Sequence, residues 1–114
     1  MSKPIWGLVE GTLARAADGA SCTLRFAASE PFFAGHFPTY PIVPGMVMIE
    51  ALVRLAQHFA DTSSGLSEIT DAKFMHEVRP DEEIACHISI QASGAFAGEI
   101  TAAGHHVLKA HFIL

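Results

Sequence analysis

A histidine and a glutamate stand 14 positions apart in this chain and could together perform acid–base chemistry. His36 lies between a glycine and a Phe-Pro pair, which restrict the loop around it, and a fixed histidine can accept a proton at pH 7. Glu50 falls in the first turns of a mostly apolar predicted helix, where burial would favour the protonated form of a carboxyl group. The pair could therefore supply a base at His36 and an acid at Glu50.

Gly45 is predicted to begin the same helix, so its backbone N–H would lie at the positive end of the helix dipole. Such an N–H can stabilise negative charge that develops on a carbonyl oxygen. A base, an acid and this donor suit proton removal next to a carbonyl and loss of a leaving group from the β-carbon. Spacing alone favours a structural role, because a loop histidine usually serves only as a hydrogen-bonding group, and Glu50 can pair with Arg54 four residues later.

A proline-rich loop and one long helix must position these residues. Residues 31–49 carry no charged side chain, but their four prolines exclude a continuous membrane-spanning helix. A helix is predicted over residues 44–61, because proline suits its first turn and no helix breaker follows. Its polar residues form one stripe, which predicts a helix that is buried on most sides.

The remaining segments alternate between apolar and polar residues, as half-buried strands do. Two strands are predicted before the helix and four after it, separated by turns that contain glycine, proline or aspartate. This order indicates an α+β protein, an antiparallel sheet curled around one helix. The predicted strands cover residues 5–14, 22–26, 69–78, 84–91, 98–103 and 105–113.

Charged residues make up only 17% of the 114 residues, and apolar residues make up 50%, where about a quarter charged is usual. This composition excludes a disordered chain and predicts a single domain over residues 1–114. Few charges on a small domain indicate either an oligomer or a large apolar pocket. The net charge of −5 disfavours binding to nucleic acid or to anionic membranes.

The two cysteines, Cys22 and Cys86, lie far apart in the sequence, and no spacing typical of metal ligands occurs. Lys3 is followed by Pro4 and Trp6 and not by the apolar core of a signal peptide. We therefore predict buried, reduced thiols in a cytoplasmic protein without a metal or a cofactor.

Three segments around His36 form one motif: Glu30-Pro31-Phe32-Phe33-Ala34-Gly35-His36-Phe37-Pro38, Pro41-Ile42-Val43-Pro44-Gly45 and Glu50-Ala51-Leu52. This motif resembles the signature of 3-hydroxyacyl-[acyl-carrier-protein] dehydratases of the FabZ and FabA type. A shorter match around residues 72–80 and the glycines of the last two strands support the resemblance. The compact chain resembles dehydratases of specialised pathways, such as aryl polyene synthesis.

The resemblance implies a hotdog fold and an assembly of dimers or trimers of dimers. It also implies that His36 of one protomer faces Glu50 of the other across the dimer interface. His36 would remove the α-proton of a 3-hydroxyacyl thioester, Glu50 would protonate the departing hydroxyl, and the Gly45 N–H would bind the thioester carbonyl. The product would be a trans-2-enoyl thioester, and the substrate would arrive on the phosphopantetheine arm of an acyl carrier protein. The sequence departs from the family at Arg54, where glutamine is usual.

Two further groups of residues are predicted to contact the substrate or its carrier. Apolar side chains near the motif could line an acyl channel or simply belong to the core. A basic group on one predicted strand could dock the acidic carrier protein or form a solvated strand face. The channel candidates are Phe32, Phe33, Phe37, Pro44, Met46 and Met48, and the docking candidates are Lys73, His76 and Arg79.

Two other functions remain open for the same fold. A hotdog thioesterase would need a carboxylate that activates water at the thioester carbonyl. A non-catalytic partner of another dehydratase subunit would have no chemical need for both His36 and Glu50.

Overall fold

The structure, a computed structural model, describes residues 4–114. Its elements in chain order are β1 Ala14–Arg15, β2 Gly19–Arg25, α1 Phe32–Gly35, α2 Gly45–Ala60, β3 Glu68–Phe74, β4 Glu83–Ile90, β5 Phe96–Ala102 and β6 His105–Ile113. The six strands form one sheet in the order β1-β2-β4-β5-β6-β3, and all neighbouring strands are antiparallel. The predicted α+β class is confirmed.

Helix α2 occupies the inside of the fold because most of its surface is apolar. It begins after Pro44 and ends at Asp61, which adopts the left-handed conformation that commonly terminates a helix. Leu52, Leu55 and Ala56 are completely buried, and burial of a leucine side chain contributes about 1.5–3 kcal/mol. The predicted helix over residues 44–61 is confirmed to within one residue.

The sheet packs against α2 through alternate residues, as the pattern of β4 demonstrates. Ile84, Cys86 and Ile88 are buried on the face toward the helix, while the residues between them point outward. On β5, a Cβ at Gly98 would lie 2.9 Å from Cδ1 of Leu52, so the helix approaches this strand closely because the position is glycine. The curved sheet around one helix is the hotdog fold that the resemblance implies.

The predicted strand over residues 5–14 is wrong except at its last residue. Gly7 and Gly11 adopt φ angles of 82° and 81°, which interrupt an extended backbone. Before β1, the segment is joined to the sheet by an isolated bridge between Leu8 and Leu24. The N-terminal residues instead lie across α2, where the Pro4 carbonyl accepts a hydrogen bond from Arg54 at 2.8 Å.

The predicted strand over residues 69–78 also ends early, at Phe74. Met75 still donates a hydrogen bond of 2.8 Å to the Val107 carbonyl of β6. Beyond Met75 the chain leaves the sheet, and the Val78 carbonyl accepts a hydrogen bond of 2.8 Å from the N–H of Val43. This bond joins the segment after β3 to the loop that carries His36. The proline-rich loop itself contains the short helix α1, which the sequence analysis did not predict.

Cys22 and Cys86 face each other directly across β2 and β4, although they lie far apart in the sequence. Both thiols are buried and free, as predicted. The hydrogen bond between them lowers the pKa of Cys22 against the opposing effect of burial. The same hydrogen bond and burial raise the pKa of Cys86 well above its usual value.

The far edge of the sheet is formed by β3, whose residues are nearly all exposed. Phe74, at its end, exposes 51% of its surface. An exposed edge strand has unpaired backbone groups, which can pair with another chain. No helix among residues 4–114 has the length and apolar character needed to cross a membrane.

Candidate active site

A cavity of about 980 Å³ lies between the loop that carries His36, the start of α2 and the segment after β3. Val43 and Met48 are its buried lining residues, while Tyr40 and Arg79 are exposed. The exposed Tyr40 and Arg79 mark the open end of the cavity, and the buried Val43 and Met48 mark its apolar side. Its lining consists of His36, Tyr40, Ile42, Val43, Gly45, Met48, Phe74, Met75, His76, Glu77, Arg79 and Glu82.

His36 is held at the end of α1 by backbone hydrogen bonds on both sides. Its N–H donates to the Phe33 carbonyl at 3.3 Å, and its carbonyl accepts from the Ile42 N–H at 3.0 Å. Nδ1 lies 3.5 Å from the Ile42 carbonyl oxygen. Because a carbonyl oxygen only accepts, this contact favours a hydrogen on Nδ1 and leaves Nε2 able to take a proton. The Phe37 ring stacks on the imidazole at 4.5 Å, and the peptide bond between the two residues is cis.

Gly45 is the first residue of α2 and lines the same cavity as His36. Among residues 4–114, nothing accepts a hydrogen bond from its N–H, as is usual in the first turn of a helix. A Cβ at this position would lie 2.7 Å from Cε1 of Phe74. A larger residue here would therefore displace the Phe74 ring, and the Gly45 N–H remains available to an oxygen in the cavity.

Glu50 does not line the cavity that contains His36. It borders a separate shallow cleft with Trp6, Val47 and Ala51. Its side chain is 50% exposed, so the expectation of a buried carboxyl group is wrong for the single chain. The reason is that Glu50 belongs to the polar stripe of α2, which points away from the sheet.

Of the predicted channel residues, Met48 lines the cavity and the others do not. Phe33 is buried in the core, and Phe37 packs on the imidazole of His36 with 50% of its surface exposed. Pro44 caps α2 from outside the helix, and Met46 is 61% exposed. Their contact with an acyl chain stays a prediction.

The docking candidates do not share one strand, so that part of the prediction is wrong. Lys73 lies on β3 opposite Lys109 of β6, and the strand ends one residue later. His76 and Arg79 follow the strand and line the cavity. The His76 ring stacks on His105 with 4.7 Å between ring centroids.

Further lining residues were not selected as site candidates from the sequence: Tyr40, Ile42, Val43, Phe74, Met75, Glu77 and Glu82. Tyr40 lies between Pro38 and Pro41 of the motif. The central carbon of the Arg79 guanidinium lies 4.1 Å from the centroid of the Tyr40 ring. The sequence signal that could have selected Tyr40 was an aromatic residue within a proline-rich functional loop. Phe74 and Met75 carried no such signal, because their place depends on where β3 ends.

The antiparallel sheet around α2 and the cavity at the start of that helix define a hotdog-fold protein. A family model described as ApeI dehydratase matches residues 13–109, and the chain belongs to this ApeI-like family. The resemblance to FabZ-type dehydratases is thereby confirmed.

Two curated relatives are named 3-hydroxyacyl-[acyl-carrier-protein] dehydratase FabZ. The protein from Lactiplantibacillus plantarum is 34% identical over 86 residues, which cover 69% of this chain and 58% of the relative. The protein from Rickettsia massiliae is 32% identical over 96 residues, which cover 74% of this chain and 66% of the relative. The chain thus spans less than two thirds of the length of these relatives.

Solved structures support the fold at low sequence identity. A chain of the dehydratase heterocomplex ApeI:P from Xenorhabdus doucetiae superposes with a TM-score of 0.79 at 20% identity, covering 93% of this chain and 96% of that one. A hypothetical thioesterase with coenzyme A from Streptococcus pneumoniae superposes with a TM-score of 0.70 at 12% identity, covering 88% and 82%. Both comparisons indicate a shared hotdog fold.

Proposed function

We propose that this chain dehydrates 3-hydroxyacyl thioesters carried on acyl carrier protein to trans-2-enoyl thioesters. The observation that carries the proposal is that His36 and the unpaired N–H of Gly45 open on one cavity. A base and an oxyanion donor in one cavity suit proton removal next to a thioester carbonyl. Membership of the ApeI-like dehydratase family supports the same reaction.

In the proposed reaction, Nε2 of His36 removes the α-proton, and the Gly45 N–H stabilises the charge that develops on the thioester oxygen. The α,β double bond forms as the β-carbon loses its hydroxyl group. Glu50 of the partner subunit gives its proton to this hydroxyl, which leaves as water. His36 then releases its proton to solvent, and the Glu50 carboxylate takes one up, which restores both groups. The reaction changes no oxidation state overall, so it needs no redox cofactor.

A second chain is required because His36 and Glu50 line different clefts of one chain. We propose a homodimer, or a trimer of such dimers, in which the Glu50 face of one copy covers the cavity of the other. The exposed edge strand β3 and the exposed Phe74 and Met75 beside the cavity are surfaces that such a partner would cover. An antiparallel pair of β3 strands would satisfy the free backbone groups of both edges.

The direct test is the purified chain with a 3-hydroxyacyl carrier protein, with the loss of water followed by mass spectrometry. His36→Ala and Glu50→Gln should each lower kcat by at least about 100-fold, because each removes one proton-transfer group. Gln91→Ala, on an exposed turn, is the matched control and should leave kcat unchanged. Full activity in His36→Ala would contradict the proposal.

A non-catalytic role in a heteromeric dehydratase is the second candidate. One structural neighbour is itself a dehydratase heterocomplex, and Glu50 in the single chain is held by Arg54 at 2.8 Å. If the chain has this role, it should be inactive alone and should co-purify with a second hotdog chain.

A thioesterase is the third candidate, because Glu77 and Glu82 line the cavity of His36. Glu82 accepts a hydrogen bond from the backbone N–H of Arg79 at 3.1 Å, which occupies one of its oxygens. Release of free thiol from the same acyl thioester, in place of water, would identify this activity.

A further inference from the structure

The guanidinium of Arg79 stacks on the ring of Tyr40 at 4.1 Å, at the open end of the His36 cavity. Both residues are exposed, and Tyr40 exposes 48% of its surface. Within residues 4–114, the Arg79 guanidinium forms no ion pair. A cation without a carboxylate partner, in a chain with a net charge of −5, is available to an anion.

The backbone holds this pair in place. The N–H of Val43 donates to the Val78 carbonyl at 2.8 Å, which joins the two segments next to Tyr40 and Arg79. Tyr40 and Phe37 exchange backbone hydrogen bonds of 3.1 Å and 3.3 Å, which closes the turn that carries the ring. Stacking on an aromatic face restricts the guanidinium and leaves its N–H groups in plane to donate.

The carboxylates nearby form no ion pair with Arg79 among residues 4–114. Glu82 accepts a hydrogen bond at Oε1 from the backbone N–H of Arg79 at 3.1 Å. Glu77 also lines the cavity and forms no ion pair among the described residues. The guanidinium N–H groups of Arg79 therefore remain able to donate to a ligand that enters the cavity.

We propose that Arg79, held on Tyr40, binds the phosphate that ends the pantetheine arm of the acyl thioester. The inference rests on the proposed function, because the substrate must enter at the open end with its thioester near His36 and its acyl chain toward Met48. Guanidinium groups donate to phosphate oxygens in a bidentate, charge-assisted manner. Lys73 is not part of this subsite, since it lies on β3 opposite Lys109.

The test compares two ligands that differ only in the phosphate, a saturated acyl-4′-phosphopantetheine and the corresponding acyl-pantetheine. Neither ligand can be dehydrated, so binding is measured by calorimetry without any need for turnover. The assembled protein should bind the phosphorylated ligand about tenfold more tightly, which is typical of one exposed charge-assisted contact. Arg79→Gln should remove this preference, and Arg25→Gln, which deletes an exposed charge away from the cavity, should retain it.

Tyr40 tests the positioning of the guanidinium. Tyr40→Phe keeps the aromatic face and should keep the phosphate preference, whereas Tyr40→Leu should reduce it by several-fold. Both variants change an exposed side chain, so their Tm should equal that of the wild type. A preference that survives in Arg79→Gln, or an equal loss for both ligands, would overturn the subsite.

Coenzyme A and carrier protein both present this phosphate, so the acyl forms of both should bind less tightly to Arg79→Gln. A loss confined to acyl-coenzyme A would mean that Arg79 binds the nucleotide phosphates, and would overturn the proposal. Failure of the proposed function has a separate signature. If the protein does not dehydrate 3-hydroxyacyl thioesters but the phosphate preference depends on Arg79, the phosphate subsite is supported and the proposed function is wrong. If dehydration occurs and the preference is unaffected by Arg79→Gln, the subsite is wrong.

Discussion

The guanidinium of Arg54 donates a hydrogen bond of 2.8 Å to the carboxylate of Glu50, one turn earlier on α2. A second N–H of the same guanidinium donates to the Pro4 carbonyl at 2.8 Å. Arg54 therefore links the candidate acid to the N-terminal segment that crosses the helix. Because Trp6 in that segment packs on Phe32 at 5.2 Å, the link extends to the loop before His36.

The Glu50–Arg54 pair should contribute little to stability. Its side chains are 50% and 25% exposed, and exposed i,i+4 pairs contribute about 0.3–0.5 kcal/mol. For a monomeric form at high dilution, we expect a coupling energy of at most about 1 kcal/mol in a double-mutant cycle of Glu50→Gln and Arg54→Gln, measured by urea unfolding. A coupling energy of several kcal/mol in that form would contradict an exposed pair. A rise at concentrations where the proposed dimer forms would indicate that the partner chain covers Glu50.

Mixing two inactive variants should restore activity if the site is shared. In a dimer of one His36→Ala chain and one Glu50→Gln chain, one of the two sites contains both native residues. Random exchange of subunits should yield about a quarter of the wild-type activity, because half of the dimers are mixed and each has one intact site. Measuring dehydration before and after subunit exchange checks this. Activity that stays at zero after verified exchange would refute a site formed between two chains.

Gly45→Ala should impair activity by steric displacement of Phe74. The new Cβ would lie 2.7 Å from the Phe74 ring, which must move into or across the cavity. We expect kcat/KM to fall by about tenfold, with a small change in stability because Phe74 is half exposed. The N–H is unchanged in this variant, so Gly45→Ala with Phe74→Ala should recover most of the loss. Gly65→Ala, where the Cβ meets no atom within 4 Å and the residue does not line the cavity, is the control.

Both thiols should resist alkylation in the folded protein. Hydrogen bonding and burial raise the pKa of Cys86, which keeps it as an unreactive thiol at pH 8. Cys22 has a lowered pKa, through its hydrogen bond with Cys86, but is 5% exposed and inaccessible to reagent. Iodoacetamide followed by mass spectrometry should modify neither thiol in buffer and both in guanidinium chloride. Rapid modification of Cys22 in buffer would mean that β2 and β4 separate easily.

The sequence alone determined the local elements and the type of chemistry. The unbroken apolar run after Pro44 specified α2, and alternation specified β4, because both signals repeat within a few residues. The motif around His36 indicated the family because its residues lie close together in the sequence and can be recognised without coordinates. At Gly7 and Gly11, the positive φ angles of two glycines interrupt a segment whose pattern predicts a strand.

The tertiary structure alone decided which distant residues meet. Tyr40 and Arg79 are 39 positions apart, and their stacking depends on β3 ending at Phe74 and on the bond between Val43 and Val78. Glu50 faces away from the His36 cavity because the sheet covers the opposite side of α2. These relations depend on strand order and on packing of the whole chain, whereas sequence periodicity reports only on neighbouring residues.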